Sequence, residues 1–301
     1  MIRNFAQLEK ILQEDPVKRR VAVAPAQDLH TLQAVLQAAS DGIIEPVLIG
    51  DAAKILEILA ELSIRSEDLQ IQDVTDPVDA VQAAADLARD GKVDCIMKGK
   101  IETGRLMKVL VNKERGIRQS DTMSILAFME SPHYHKVFAI TDVGLLTYPD
   151  KQQKIDAIRN AVAAFHSLGI KRPKVAILAA VEKVNPKMPE TVEANEIKEM
   201  GIDGCILEGP ISLDLAMDEE AAKIKSYKSP VAGDADLLVV PDIVSGNIAA
   251  KALTVLGGGR TGGVVLGAMV PVLIVSRAAT ADDKYMSIVM GVLTGRRNGG
   301  R

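Results

Sequence analysis

Short apolar runs alternate with longer amphipathic ones along most of this chain, and that rhythm limits its fold more tightly than any other feature. Arg20-Val-Ala-Val-Ala24 reads as a buried strand, and Asp28 then caps a helix through Ser40 that Gly42 stops. Pro46-Val-Leu-Ile-Gly50 is the next strand, followed by a helix over 51–62. Leu69-Gln-Ile-Gln-Asp-Val74 leads into a helix over 76–89, and Val93-Asp-Cys-Ile-Met97 into one near 104–112. Repeated units of this kind, with continuously apolar strands, predict a parallel sheet covered by helices on both faces. The middle breaks the rhythm. Thr122-Met-Ser-Ile-Leu-Ala-Phe128 and Lys136-Val-Phe-Ala-Ile140 are strand-like and lie either side of a short turn, the spacing of an antiparallel pair. A helix over 150–168 then opens a second β/α series. Its strands fall at 174–178, 204–207 and 236–240, its helices near 189–200 and 244–256. The run Val270-Pro-Val-Leu-Ile-Val275 and a helix over 281–294 close the chain.

A chain of 301 residues has room for two such α/β units. Apolar residues make up 48% and aromatics only 3%, so the core is aliphatic. The net charge of −4, with Lys and Arg interspersed, lacks the basic stripe that a nucleic-acid surface needs. Cys95 and Cys205 both lie in apolar strand-like segments and read as reduced core residues. The start of the chain is amphipathic and charged, with no apolar signal region, and the apolar stretch 262–275 is too short to span a bilayer. The expectation is a cytoplasmic protein with neither nucleic-acid nor membrane partners.

Polar groups gather where strands end. In Val275-Ser-Arg-Ala-Ala-Thr-Ala-Asp-Asp-Lys284 a hydroxyl and a guanidinium leave a strand side by side, and two carboxylates follow at a helix entrance. Thr280 and Asp283 fit a capping box. The same helix entrance also suits anion chemistry, and Ser276 and Arg277 are not needed for the cap. Pro241-Asp-Ile-Val-Ser-Gly-Asn247 leaves a strand for a helix, so Ser245 is either a plain N-cap or a ligand contact, and Asp242 either a turn residue or a ligand contact. Lys98-Gly-Lys-Ile-Glu-Thr-Gly-Arg105 occupies the same kind of place, and its cations, with Lys108 and Arg118, either pair with phosphates or coat a solvated helix face. Thr141-Asp-Val-Gly144 ends a strand with an acidic side chain suited to lining a cleft. Gly257-Gly-Gly-Arg-Thr-Gly262 matches G-x-G-x-x-G, but follows a helix and precedes a strand, the reverse of a dinucleotide fingerprint. His133 and His135 have no third ligand nearby in sequence, so no metal site is expected.

Taken in order, these motifs resemble the phosphate acetyl/butyryl transferase family. The resemblance is strongest in Lys98-Gly-x-x-x-Thr103, Gly209-Pro-Ile-Ser-Leu-Asp-Leu-Ala216, Ser229-Pro-Val-Ala-Gly233, Pro241-Asp-x-x-Ser-Gly-Asn247 and Ser276-Arg277…Asp283. It implies two three-layer α/β/α domains around a cleft, similar to isocitrate and isopropylmalate dehydrogenases. The first domain is then discontinuous, residues 1–142 plus 271–301, and residues 143–270 form the second, through which a homodimer assembles. The implied reaction exchanges an acyl group between coenzyme A and inorganic phosphate, with coenzyme A a substrate and no metal or other cofactor. Ser276, Arg277 and Asp283 fall on the family's catalytic residues. Lys98, Thr103, Lys108, Asp242, Ser245 and Asn247 fall on its substrate-binding segments.

In the implied chemistry Asp283 takes the proton from the coenzyme A thiol, and the thiolate attacks an acyl-phosphate carbonyl in a ternary complex. Arg277 holds phosphate, and Ser276 donates a hydrogen bond as charge develops on oxygen. Moving a proton from a thiol of pKa about 8.5 to a carboxylate near 3.9 is uphill by roughly 6 kcal/mol. The site therefore has to raise the aspartate or stabilise the thiolate. On this account the Asp283 side chain should face the cleft, not its own cap. Two departures stand out. Lys108 replaces a common arginine and supplies charge without a bidentate fork. The Gly209-Pro210…Asp214 stretch resembles the butyryl branch while Asp283 resembles the acetyl branch, which leaves acyl length open. Two competing readings are a metal-dependent dehydrogenase of related fold and a non-catalytic acyl-coenzyme A or phosphate sensor.

Overall fold

The computed structural model describes residues 1–275 and 279–295. Its chain separates into two compact units. The first comprises Phe5–Asp121 and the chain from Gly262 onward, and the second Met1–Asn4 with Thr122–Thr261.

The first unit opens with helix α1 (Phe5–Gln13), then strand β1 (Arg19–Ala24), α2 (Leu29–Ser40), β2 (Ile44–Gly50), α3 (Ala52–Glu61) and β3 (Gln70–Asp73). It continues through α4 (Pro77–Arg89), β4 (Cys95–Lys98) and α5 (Thr103–Leu110). β1 is flanked by β2 and β4, both parallel to it. The chain steps outward from β1 to β2 to β3, then back to β4 on the other side of β1. Right-handed crossovers place α2 and α3 on one face, and the reversal places α4 on the other. Val21, Val23, Leu48, Ile49, Ile96 and Met97 are fully buried between these layers. Each such side chain contributes roughly 1.5–3 kcal/mol of transfer free energy.

The second unit begins with the antiparallel pair β5 (Ser124–Glu130) and β6 (Phe138–Thr141). α6 (Lys151–Ser167), β7 (Lys174–Leu178), α7 (Pro189–Met200) and β8 (Ile206–Ile211) follow. Two short helices, α8 (Leu213–Met217) and α9 (Glu219–Ile224), precede β9 (Leu237–Val239) and α10 (Ile243–Lys251), which runs into a π-helical turn at Ala252–Leu256. The strand order is β5-β6-β9-β7-β8. Steps from β6 to β7 to β8 run one way and the step to β9 runs back, so α6 and α7 lie on the face opposite α8 and α9.

The chain then re-enters the first unit through β10 (Arg260–Leu266), β11 (Val272–Leu273) and α11 (Ala281–Thr294). β11 lies parallel to β4, giving the order β3-β2-β1-β4-β11-β10. α11 packs against α2 and α1.

Both units are the expected three-layer α/β form. Their limits fall at 121/122 and 261/262, against the expected 142/143 and 270/271. The β5–β6 pair belongs with the second unit because β6 pairs parallel with β9. Ile2 joins the same unit, its carbonyl accepting the Val137 N–H at 2.9 Å.

Candidate functional site

In an open α/β sheet, ligands bind beyond the carboxyl ends of strands where neighbouring crossovers diverge. In the first unit that place lies between β1 and β4. The Gly99 N–H donates to the Ala24 carbonyl at 3.1 Å, and that of Lys100 to the Pro25 carbonyl at 3.0 Å. A Cβ on Gly99 would stand 1.9 Å from the Pro25 oxygen, so only glycine lets the two loops meet. This close approach accounts for the glycine of the Lys98-Gly99 motif.

Lys98 ends β4 and is buried, its Nζ 3.4 Å from the Gly99 carbonyl. Thr103 opens α5. Among the described residues, α2, α3, α4 and α11 each carry a side-chain N-cap, from Asp28, Asp51, Asp76 and Thr280. Glu102, at the N-cap of α5, makes no such bond. The first-turn amides of α5 are therefore not met by its own cap residue, the arrangement in which a helix N-terminus receives an anion. Lys108 is exposed in the last turn of α5. It sits about 7.5 Å further along the axis than Thr103 and about 140° around it, so the two share no face.

The entrance to α11 belongs to the same unit. β11 pairs parallel with β4 at Leu273↔Met97, so both strands send their carboxyl ends toward the same end of the sheet. Ser276 and Arg277 lie outside the described residues. Thr280 and Asp283 form a full capping box: Thr280 Oγ1 accepts the Asp283 N–H at 3.1 Å, and Asp283 Oδ2 accepts from Thr280 N and Oγ1 at 3.0 Å each. The expected Asp283 side chain turned from its cap is corrected to one with Oδ2 held in the cap, because the box needs that carboxylate oxygen. Oδ1 takes no part in it.

The second unit has its divergence between β6 and β9. The Val240 N–H donates to the Thr141 carbonyl at 2.9 Å, and the Ile243 N–H to the Thr147 carbonyl at 3.1 Å, so the loops after the two strands stay joined. Asp242 and Ser245 make a capping box at the start of α10, Asp242 Oδ1 accepting the Ser245 N–H at 2.9 Å. Asn247 Nδ2 donates to the Val143 carbonyl at 3.1 Å. These three side chains build the helix start and tie it to the loop after β6; the N-cap is Asp242, not Ser245 as the alternative reading had it, because Ser245 stands three residues on, inside the first turn. A Cβ on Gly246 would lie 2.4 Å from the Asp142 carbonyl oxygen.

Asp142 is buried and turned inward, not lining a cleft. Its Oδ1 accepts Gly144 N at 2.8 Å and Leu145 N at 2.7 Å, and its Oδ2 accepts Ile125 N at 2.8 Å. Burial pushes its carboxyl above the usual range, and these amides pull it partly back. Spacing in sequence offers no sign of this role.

His135 Nε2 lies 2.9 Å from Asp234 Oδ1. No group of three His, Cys, Asp or Glu side chains among the described residues has metal-binding geometry.

A model of the family "Phosphate acetyl/butaryl transferase" matches residues 70–292. The chain belongs to the phosphate acetyl/butyryl transferase family. It is 37% identical over 297 residues to a phosphate butyryltransferase of Clostridium acetobutylicum, covering 97% of this chain and 98% of that one. It is 40% identical over 291 residues to a phosphate acetyltransferase of Thermotoga maritima, covering 95% and 99% respectively. Among solved structures, a branched-chain phosphotransacylase from Enterococcus faecalis V583 is similar with a TM-score of 0.83 and 31% identity, over 93% of this chain and all of that one. This member of the family is thus an enzyme of the transferase class. The motif at 98–103 lies at its α5 entrance, Asp283 at its α11 entrance, the motif at 241–247 after β9, and that at 209–216 on β8 and α8. Among the described residues, no helix is long and apolar enough to cross a membrane.

Proposed function

We propose that the protein exchanges a short-chain acyl group between coenzyme A and inorganic phosphate by direct transfer in a ternary complex, with Asp283 as the base. The observation that carries this reading is the α5 N-terminus, where Glu102 makes no side-chain cap bond, shortly after buried Lys98 and at the end of the sheet toward which β11 leads the α11 entrance. Phosphate oxygens suit the first, a reacting thiol the second. Asp283 Oδ1 receives the thiol proton while Oδ2 keeps the cap, so the base stays oriented throughout. Arg277 holds the phosphate and Ser276 donates to the oxygen on which charge develops, roles that rest on the family resemblance. Thr103 donates at the α5 entrance, and Lys108 contributes charge from further along that helix. Asp242, Ser245 and Asn247 act by shaping the loop at the β6–β9 divergence. Coenzyme A is a substrate, and the reaction needs no other cofactor.

A homodimer forms through the second unit. Ile248, Val255 and Leu256 are 63%, 78% and 85% exposed on and after α10, beside a cavity of about 1350 Å³ lined by Phe138, Ile140 and Leu253 among others. Apolar surface of this extent marks an interface. Cys95 and Cys205 are free and buried, and burial raises both thiols, Cys205 to about 11, so neither is a ready nucleophile.

The test is Asp283→Asn, assayed with acyl-coenzyme A and phosphate. Loss of kcat by a hundredfold or more with KM little changed is the expected result. A fall of less than tenfold would remove Asp283 from the role of base.

A further inference from the structure

The capping box at the α11 entrance is internal to that helix. It fixes Asp283 relative to its own backbone, but the box moves as α11 moves, so something else must set the helix against the sheet. The Asp283 carbonyl accepts the Ser287 hydroxyl at 2.8 Å, and in the capping turn itself the contact to the rest of the unit comes from the neighbouring Lys284. Its side chain is buried, and Nζ donates to Asp28 Oδ1 at 2.9 Å and to Thr31 Oγ1 at 3.1 Å. The same Asp28 oxygen already caps α2, accepting the Thr31 N–H at 2.8 Å and the Thr31 hydroxyl. One carboxylate oxygen thus gathers the start of α2 and the first turn of α11. Successive residues of a helix are about 100° apart, so anchoring Lys284 also fixes the direction in which Asp283 projects.

Later turns have anchors of their own. Tyr285 Oη donates to Asp41 Oδ2 at 2.8 Å, and Ser287 Oγ accepts the Gly263 N–H at 2.9 Å. Neither lies in the turn that carries the cap. Stability alone does not call for a lysine at this position. Taking an ammonium out of water costs several kcal/mol, and well-packed apolar groups in place of buried ion pairs are often neutral or stabilising. A directional, charge-assisted contact does what apolar packing does not, which is to select one angular setting of the helix.

We propose that Lys284 is the positioning residue for Asp283, acting through the Asp28–Thr31 start of α2. The proposal rests on the reading of Asp283 as the base.

The experiment compares the full chain with Lys284→Met, Asp28→Asn, the two combined, and Asp283→Asn, each assayed for acyl transfer to phosphate and for thermal unfolding. Expected are a roughly tenfold lower kcat in both single variants, KM values within about twofold of the parent, and melting temperatures within a few degrees. The double variant should be no slower than the slower single one, since Lys284→Met removes the donor and Asp28→Asn the charge of its acceptor in one and the same contact. Asparagine remains a good N-cap, so Asp28→Asn keeps α2 intact and decides the matter should Lys284→Met fail to fold. Unchanged kcat in Asp28→Asn or in a folded Lys284→Met, beside a severe loss in Asp283→Asn, would overturn the positioning role and leave the base standing. Multiplying losses in the double variant, or losses that follow the melting temperature, would overturn it as well. An active Asp283→Asn would overturn the base itself.

Discussion

Asp28 and Asp142 are both drawn out of water, with opposite results. For Asp28, burial pushes the carboxyl up, but the hydrogen bonds from Thr31 and Lys284 more than cancel that, holding it at about 2 against an ordinary 3.8. A lowered value means the unfolded chain takes up the proton first. The stabilising contribution is therefore full above about pH 4, declines as the pH falls, and is gone by about pH 2. Urea unfolding of the parent and Asp28→Asn checks this. The stability gap between them should be constant from about pH 7 to 5 and shrink between about pH 4 and 2. A gap that widens on acidification would contradict it. At Asp142 burial outweighs the amides, so its charged form is the penalised one and its pH dependence runs the other way.

At the scale of elements, the loop after β6 and the start of α10 are held by close approach. Alanine at 246 would set its Cβ 2.4 Å from the Asp142 carbonyl oxygen, whereas one at 144 meets nothing within 4 Å. Gly246→Ala should lower stability by about 1–3 kcal/mol, as overpacking does, and Gly144→Ala should be near neutral in the same urea titration. Equal effects would refute the contact. The elements themselves were largely legible in the sequence, because apolar runs and Asp caps mark strand and helix starts directly, as at Asp28, Asp76 and Asp150. Exceptions have local causes. The strand expected over 204–207 in fact runs over Ile206–Ile211, through Pro210, which is tolerated because β8 is an edge strand. The helix expected over 244–256 changes to a π-helical turn after Lys251. α8 and α9, at five and six residues, are too short for a periodic pattern to declare them. Of the site, the motif positions were legible and the hydrogen-bonding roles were not. Thr280 with Asp283 fits a capping box and an anion site alike, and sequence spacing points to Ser245 as an N-cap where Asp242 holds that position. The partner of Lys284 stands far away in sequence, at Asp28, where no local pattern points to it.

At the scale of the whole molecule, the exposed Ile248, Val255 and Leu256 lead to a direct expectation. Sedimentation equilibrium should give a dimer, and Leu256→Glu should shift it toward monomer, since a buried, unpaired carboxylate at an interface is strongly unfavourable. A parent protein that is monomeric at every concentration would remove that interface. Acyl exchange itself is tested most directly by free-thiol release from acetyl-, propionyl-, butyryl- and isobutyryl-coenzyme A, with and without phosphate and with a chelator. Thiol release is expected only when phosphate is present, with one acyl phosphate formed per thiol and no effect of the chelator. Thiol release that does not depend on phosphate, or none from any of the four thioesters, would contradict it.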